Sequence, residues 1–374
     1  QEYGTADQVV TQPSHEYTRR LMYAVRPPPA AGQGDETSDE HQRKAPALEV
    51  KNLLAGYGRT QNGAPEITVL RDVNVAIERG HSVGVIGESG CGKSMTALAL
   101  MGLLPEGVGS VAAGSITFDG EELTTATETR LREIRGNDIS MIFQEPMTSL
   151  NPLYTIGEQI AEVLRAHQNL SRTAAWNQAI ELLDAVRIPN AKARVNDYPF
   201  QMSGGQRQRV MIAIALACQP KILIADEPTT ALDVTGQAQI FDLLQDMRRQ
   251  TGSSIILITH DMGAVAEMAE RMIVMYAGRK AELGLVEEVI AHPRHPYTAG
   301  LISCVPHILS TLTEEREELV EVPGIVPALY DFGKDSCLFA SRCQQAQAQC
   351  LEARPPEIEF GAEHQSACWR AQEL

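Results

Sequence analysis

Positive charge is scarce in this sequence of 374 residues: Lys and Arg number 32 against 48 Asp and Glu, a net charge of −16 at pH 7. A surface this acidic opposes nucleic acid as a principal partner, because phosphate backbones are held by clustered cations. A local nucleotide site is still compatible with it. Long apolar runs are missing too. Nothing approaches the roughly 18 residues of a membrane-spanning helix, and the longest candidates, such as 210–218, have the length of core segments. A membrane role is therefore expected to be peripheral. No basic stretch leading into an apolar one follows Gln1, so no secretory leader is visible. Cysteine is thin through most of the chain: Cys91, Cys218 and Cys304 are scattered, and Cys337, Cys343, Cys350 and Cys368 crowd the end. That unevenness excludes the disulfide framework of a small secreted protein and reads as a metal site or a redox staple.

What remains is ordinary globular composition, 43% hydrophobic and 21% charged. At ~150 residues per domain the length suggests two or three domains. One repeat stands out. Glu2, Gly4, Val9, Pro13, His15, Tyr17, Thr18, Leu21 and Val25 recur, each 280 positions later, as Glu282, Gly284, Val289, Pro293, His295, Tyr297, Thr298, Leu301 and Val305. Tandem duplication explains the constant offset, which makes 1–26 the tail of an earlier copy of the same domain. Residues 27–47 are rich in Pro, Ala, Gly and charge and read as a flexible linker.

From Leu48 onward strand and helix patterns alternate. Strands are expected at 48–54, 69–77, 82–86, 139–143, 221–225, 254–259 and 271–276, and a helix at 94–104. A mostly helical block at 152–215 reads as a subdomain inserted into the sheet. Such alternation implies an α/β fold, a largely parallel sheet covered by helices on both faces. This domain is assigned to 48–285, and 286–374 to a small cysteine-rich extension.

Gly87, Glu88, Ser89, Gly90, Cys91, Gly92, Lys93 and Ser94 fit the phosphate-loop pattern, between an apolar strand and a helix. The glycines let backbone N–H groups turn inward, and the helix N-terminus adds positive potential. Lys93 is expected to reach the β- and γ-phosphates and Ser94 to ligate Mg2+. The apolar strand ending in Asp226 and Glu227 supplies one carboxylate to hold Mg2+ and one to polarise an attacking water. Ser203, Gly204, Gly205 and Gln206 form a second glycine-rich turn before a helix. That anion site is redundant unless it serves a different nucleotide across a dimer interface.

With these motifs in order, 48–305 resembles the ATP-binding subunits of ABC transporters. The resemblance implies a P-loop ABC-type ATPase domain with antiparallel β and inserted helical subdomains. It makes Ser203–Gln206 the signature motif, Gln144 the Q-loop glutamine that senses Mg2+, Ala231, Leu232 and Asp233 the D-loop, and His260 the switch histidine. Tyr57 falls where an aromatic stacks on adenine, and Met95 follows the loop. The resemblance also implies a head-to-tail pair of such domains, two transmembrane permease subunits, an extracytoplasmic substrate-binding protein, and a place on the cytoplasmic face of the cell membrane. Three stretches look like the dipeptide/oligopeptide importer class: Gln144 to Pro152, His260 to Gly263, and His295 to Thr298. Phe200, where the class often has His, and Met202 depart from it as apolar replacements. The repeat suggests that the second ATPase domain is fused upstream on the same chain.

The last four cysteines are spaced Cys337-x5-Cys343-x6-Cys350-x17-Cys368. Four thiolates satisfy either zinc or an iron–sulfur cluster, and the lack of Cys-x2–4-Cys pairs leans away from zinc. The tail resembles the extension of peptide-importer ATPases, some of which carry a 4Fe–4S cluster there. Ser336 and Ser341 depart from the Gly and Pro usual in it. His364 reads as a surface residue. The expected function is an ATPase that powers import of short peptides. The alternatives are the same motor with nickel, glutathione or sugar as cargo, or a soluble ABC ATPase on ribosomes or DNA, which the acidic charge opposes.

Overall fold

The computed structural model describes residues 45–61, 63–230, 232–304, 321–328, 336–361 and 363–374. The repeat copy at 1–26 and nearly all of the linker lie outside them. Among the described residues two sheets are built from twelve strands. The first is antiparallel, in the order β2-β1-β4-β5, from β1 (Leu48–Gln61), β2 (Ala64–Ile77), β4 (Gly109–Phe118) and β5 (Glu121–Glu122). The second has a parallel centre of β3 (Ser82–Ile86), β6 (Ile139–Ile142), β7 (Ile222–Asp226), β8 (Ser254–Ile258) and β9 (Arg271–Tyr276) in the order β9-β3-β8-β7-β6. Every residue of β3, β6, β7 and β8 is buried, as a parallel sheet covered on both faces requires. Their side chains alternate between two cores. Ile222, Ile224, Ile256 and Ile258 face the antiparallel sheet, while Leu223, Ala225, Ile255 and Leu257 face the helical side.

Helix α1 (Lys93–Leu100) packs in the first core. It is shorter than the expected 94–104, since Gly102 turns left-handed at φ 61° directly after the C-cap Met101. The inserted block contains α2 (Ile156–Gln168), α3 (Arg172–Ala185) and α4 (Gly204–Leu216). Hydroxyl caps start each of them: Thr155 accepts from the N–H of Glu158, Ser171 from Ala174 and Ser203 from Gln206. Their apolar faces fill the second core.

The extension does not begin cleanly at 286. Strand β10 (Arg279–Leu285) pairs antiparallel with β9 on one side and on the other with β12 (His364–Ser366), which carries β11 (Ile358–Phe360). The tail thus adds two strands to the second sheet. Glu282, wholly buried, fixes this junction: its carboxylate accepts from the N–H groups of Arg294 (2.6 Å) and His295 (3.0 Å) and lies 2.7 Å from His364 Nε2. His364 is therefore buried, contrary to the expected surface position, because Glu282 draws it inward.

Between β9 and β10 the two turn residues, Ala277 and Gly278, have φ of 49° and 78°, the pattern of a tight type I′ hairpin. Gly278 joins three parts. Its N–H donates to Cys91 O and its carbonyl accepts from Arg71 N, both at 2.8 Å. A Cβ there would sit 1.5 Å from the carbonyl oxygen of Val69. Gly278→Ala should therefore destabilise the fold by at least about 2 kcal/mol, measured by urea unfolding; an unchanged midpoint would contradict the tight junction.

Candidate functional site

The loop after β3 curls because its glycines allow it. Gly92 caps α1 at φ 102°, and a Cβ on Gly87 would meet Met275 O at 2.3 Å. Lys93 is buried, and its Nζ donates to the carbonyls of Gly87 (2.7 Å) and Glu88 (3.2 Å). The ammonium is thus already held across the loop. Cys91 and Met95 are buried beneath it, and burial pushes the Cys91 thiol up. Ser89 and Gly90 are exposed.

At the end of β7 two adjacent carboxylates have opposite environments. Asp226 is buried; desolvation raises its pKa, the charge of Glu227 adds to this, and a hydrogen bond with Ser94 opposes it. Its Oδ1 has no hydrogen-bond partner. A buried, orphaned carboxylate oxygen beside the Ser94 hydroxyl is a fitting ligand pair for a hydrated Mg2+. Glu227 is held at φ 46°, a conformation rare for a non-glycine residue, with its N–H on Ile258 O at 2.8 Å. Its Oε2 accepts from Thr230 Oγ1 at 2.9 Å and from Gln144 Nε2 at 3.3 Å, and its Oε1 lies 3.3 Å from His260 Nδ1. Burial raises its pKa, but the hydrogen bonds of Thr230 and His260 outweigh this and leave it lowered. Glu227 is therefore a carboxylate acceptor at neutral pH, oriented by three side chains from separate elements. Thr230 was not singled out from the sequence; a threonine three residues beyond Glu227 was the available signal.

The other expected residues are placed differently. Tyr57 lies in β1 opposite Ile67 and Gly109 and packs partly against the first core. Ser203 and Gln206 form a reciprocal capping box, and Gln206 also accepts from Arg194 at 3.0 Å. These polar side chains are occupied locally, while Gly204 is exposed with open space around its Cα. Asp233 caps the helix Val234–Thr251 through the N–H of Gly236 at 2.7 Å. Ala231 lies outside the described residues.

Cys337, Cys343, Cys350 and Cys368, free of disulfides, line one small cavity with His295 and Phe339. The backbone N–H of Arg370 donates to Cys368 Sγ at 3.4 Å, and that of Ala340 to the Cys337 carbonyl at 3.1 Å. Burial pushes three of the thiols up, Cys368 to about 11. Among the described residues no group of three or more His, Cys, Asp or Glu is arranged to hold a metal ion, so the expected zinc or iron–sulfur site finds no support as a formed metal centre. No described helix is long and apolar enough to cross a membrane.

Comparison with known proteins agrees with this geometry. A family model for ABC transporters matches residues 70–230, and one for the C-terminal region of oligopeptide/dipeptide transporters matches 1–51 and 281–350. A Brucella melitensis protein named for peptide import ATP-binding is 48% identical, covering 88% of this chain and 99% of that one. The oligopeptide transport ATP-binding protein OppD of Haemophilus influenzae is 47% identical, covering 88% and 98%. A dimeric ATP-binding cassette solved with ADP and Pi is similar in structure, at 30% identity and a TM-score of 0.56 over 64% of this chain and 98% of that one. With phosphate loop, paired carboxylates and C-terminal region all matched, the chain belongs to the ABC transporter family as an ATP-hydrolysing subunit of the oligopeptide/dipeptide importer type.

Proposed function

We propose that the chain hydrolyses ATP to drive uptake of short peptides, with Glu227 as general base, and the observation that carries this is the triple hold of Gln144, Thr230 and His260 on its carboxylate. Gly87–Met95 bind the phosphates through backbone N–H groups, and Lys93 turns from its loop carbonyls to the β- and γ-oxygens. Ser94, Asp226 and Gln144 hold Mg2+, which supplies charge neutralisation at the phosphates when bound. Glu227 takes the proton of the attacking water, His260 donates to the γ-phosphate, and Tyr57 stacks on adenine. Ser203, Gly204, Gly205 and Gln206 close over the nucleotide of a second ATPase domain, the exposed Gly204 leaving room for phosphate approach.

Peptide cargo is inferred from the names of the relatives. Phe143, Leu153, Tyr154 and Phe200 are exposed around the helical insertion, which suits contact with two permease subunits at the cytoplasmic membrane face. A second ATPase domain fused upstream accounts both for the sequence repeat and for the match of the C-terminal region model to 1–51 as well as 281–350. We infer a 4Fe–4S cluster at Cys337, Cys343, Cys350 and Cys368 from their number and from a spacing that lacks the Cys-x2–4-Cys pairs of zinc sites; that all four line one cavity supports the reading. The cluster supplies a cross-link between distant parts of the tail when bound.

Glu227→Gln should keep MgATP binding while phosphate release falls at least ~100-fold; near-normal release would remove the base role. The anaerobically purified chain should contain about four irons and four acid-labile sulfides, lost in Cys343→Ala. Zinc, or no metal in the parent, would exclude the cluster.

A further inference from the structure

The phosphate loop is gripped from a direction that phosphate chemistry does not require. Arg342, between Cys337 and Cys343, takes the Glu88 carboxylate with both terminal nitrogens, Nη1 to Oε2 at 2.7 Å and Nη2 to Oε1 at 3.0 Å. Its side chain is 4% exposed. Nε donates to Pro323 O at 2.7 Å, Nη2 also donates to Val322 O at 3.3 Å, and the guanidinium lies near the Tyr276 and Phe339 rings. This fork is therefore fixed before it reaches Glu88. A second contact holds the backbone of the same residue: the hydroxyl of Tyr297, wholly buried, accepts the N–H of Glu88 at 2.8 Å. Tyr297 packs against Tyr276 and Phe339, with ring centroids 4.8 and 5.4 Å away. Phe339 in turn lines the four-cysteine cavity.

We propose that Arg342 and Tyr297 are positioning residues for ATP, through which the C-terminal extension holds the phosphate loop in its binding conformation. The inference rests on reading Gly87–Ser94 as the ATP site. Two effects follow from the geometry. Tying Glu88 at backbone and side chain orders the loop in advance, so that ATP does not bear that entropy. Glu88 is also an anion inside a cradle for anions, and Arg342 neutralises it before the phosphates arrive. Both effects act on binding and leave the Glu227 carboxylate as it is.

The test uses the whole chain, with steady-state ATP hydrolysis and equilibrium MgATP binding. Arg342→Gln should raise KM and Kd roughly tenfold with kcat changed less than about twofold. Arg342→Lys should recover part of the loss, since it returns the charge without the fork. Tyr297→Phe, which deletes only the hydroxyl and keeps the ring packing, should raise KM by a smaller factor. In a Glu88→Gln background, adding Arg342→Gln should raise KM by less than about twofold, because the partner is already gone. An equal rise in both backgrounds, or a fall in kcat with KM unchanged, would overturn the positioning role. Lys93→Ala separates the two levels. Weakened MgATP binding there, with unchanged binding in Arg342→Gln, overturns the positioning role alone; unchanged binding in both overturns the site and the positioning role together.

Discussion

Ile258 pairs with Val85 on one side and Asp226 on the other, and that register decides where each group of the nucleotide site falls. The three strands end on one edge, so Gly87, Glu227 and His260 leave the sheet side by side. Two backbone bonds extend the alignment past the strands, Glu227 N to Ile258 O and Thr259 N to Val85 O. The register is stiff because β7 and β8 alternate between two filled cores. A slip of one residue would exchange their side chains between cores of different shape. The chemistry of the site is thus a by-product of apolar packing.

The turn after β7 separates two neighbouring carboxylates. Asp226 stays in the sheet, buried beside Ser94, while the left-handed backbone of Glu227 carries the next carboxylate out to Gln144, Thr230 and His260. Such backbone costs on the order of 1 kcal/mol for a residue with a side chain. The environments push the two groups in opposite directions, one raised by burial and one lowered by hydrogen bonds. Division of labour between like groups rests on such differences.

The sequence made legible whatever was local. The phosphate loop, the Asp226–Glu227 pair and strands 82–86 and 271–276 stand out because uninterrupted apolar runs meet fixed motifs. Strands β4, β10, β11 and β12 did not, since their mixed polar residues become strand only when a distant partner supplies the ladder. His364 misled for the same reason: nothing near it in the chain announces Glu282. The grip of Arg342 on Glu88 spans 254 positions and leaves no periodic trace. Glu88 stands out in the sequence only as a member of the phosphate loop, and nothing near Arg342 in the chain marks it as that residue's partner.

The added strands of the tail have one more consequence. Without β12, and β11 which it carries, β10 would be the open margin of the remaining sheet, seven residues long, with unpaired N–H and carbonyl groups facing any other chain. Open margins of that length invite edge-to-edge aggregation, and proteins avoid it by finishing their sheets with very short strands. Here the finishing strands are three residues each, pinned by the buried Glu282 and by Lys280, whose ammonium lies 3.0 Å from Glu357. Whatever its tie to the phosphate loop, the extension is also a hem, its short strands covering a margin that β10 would otherwise leave open.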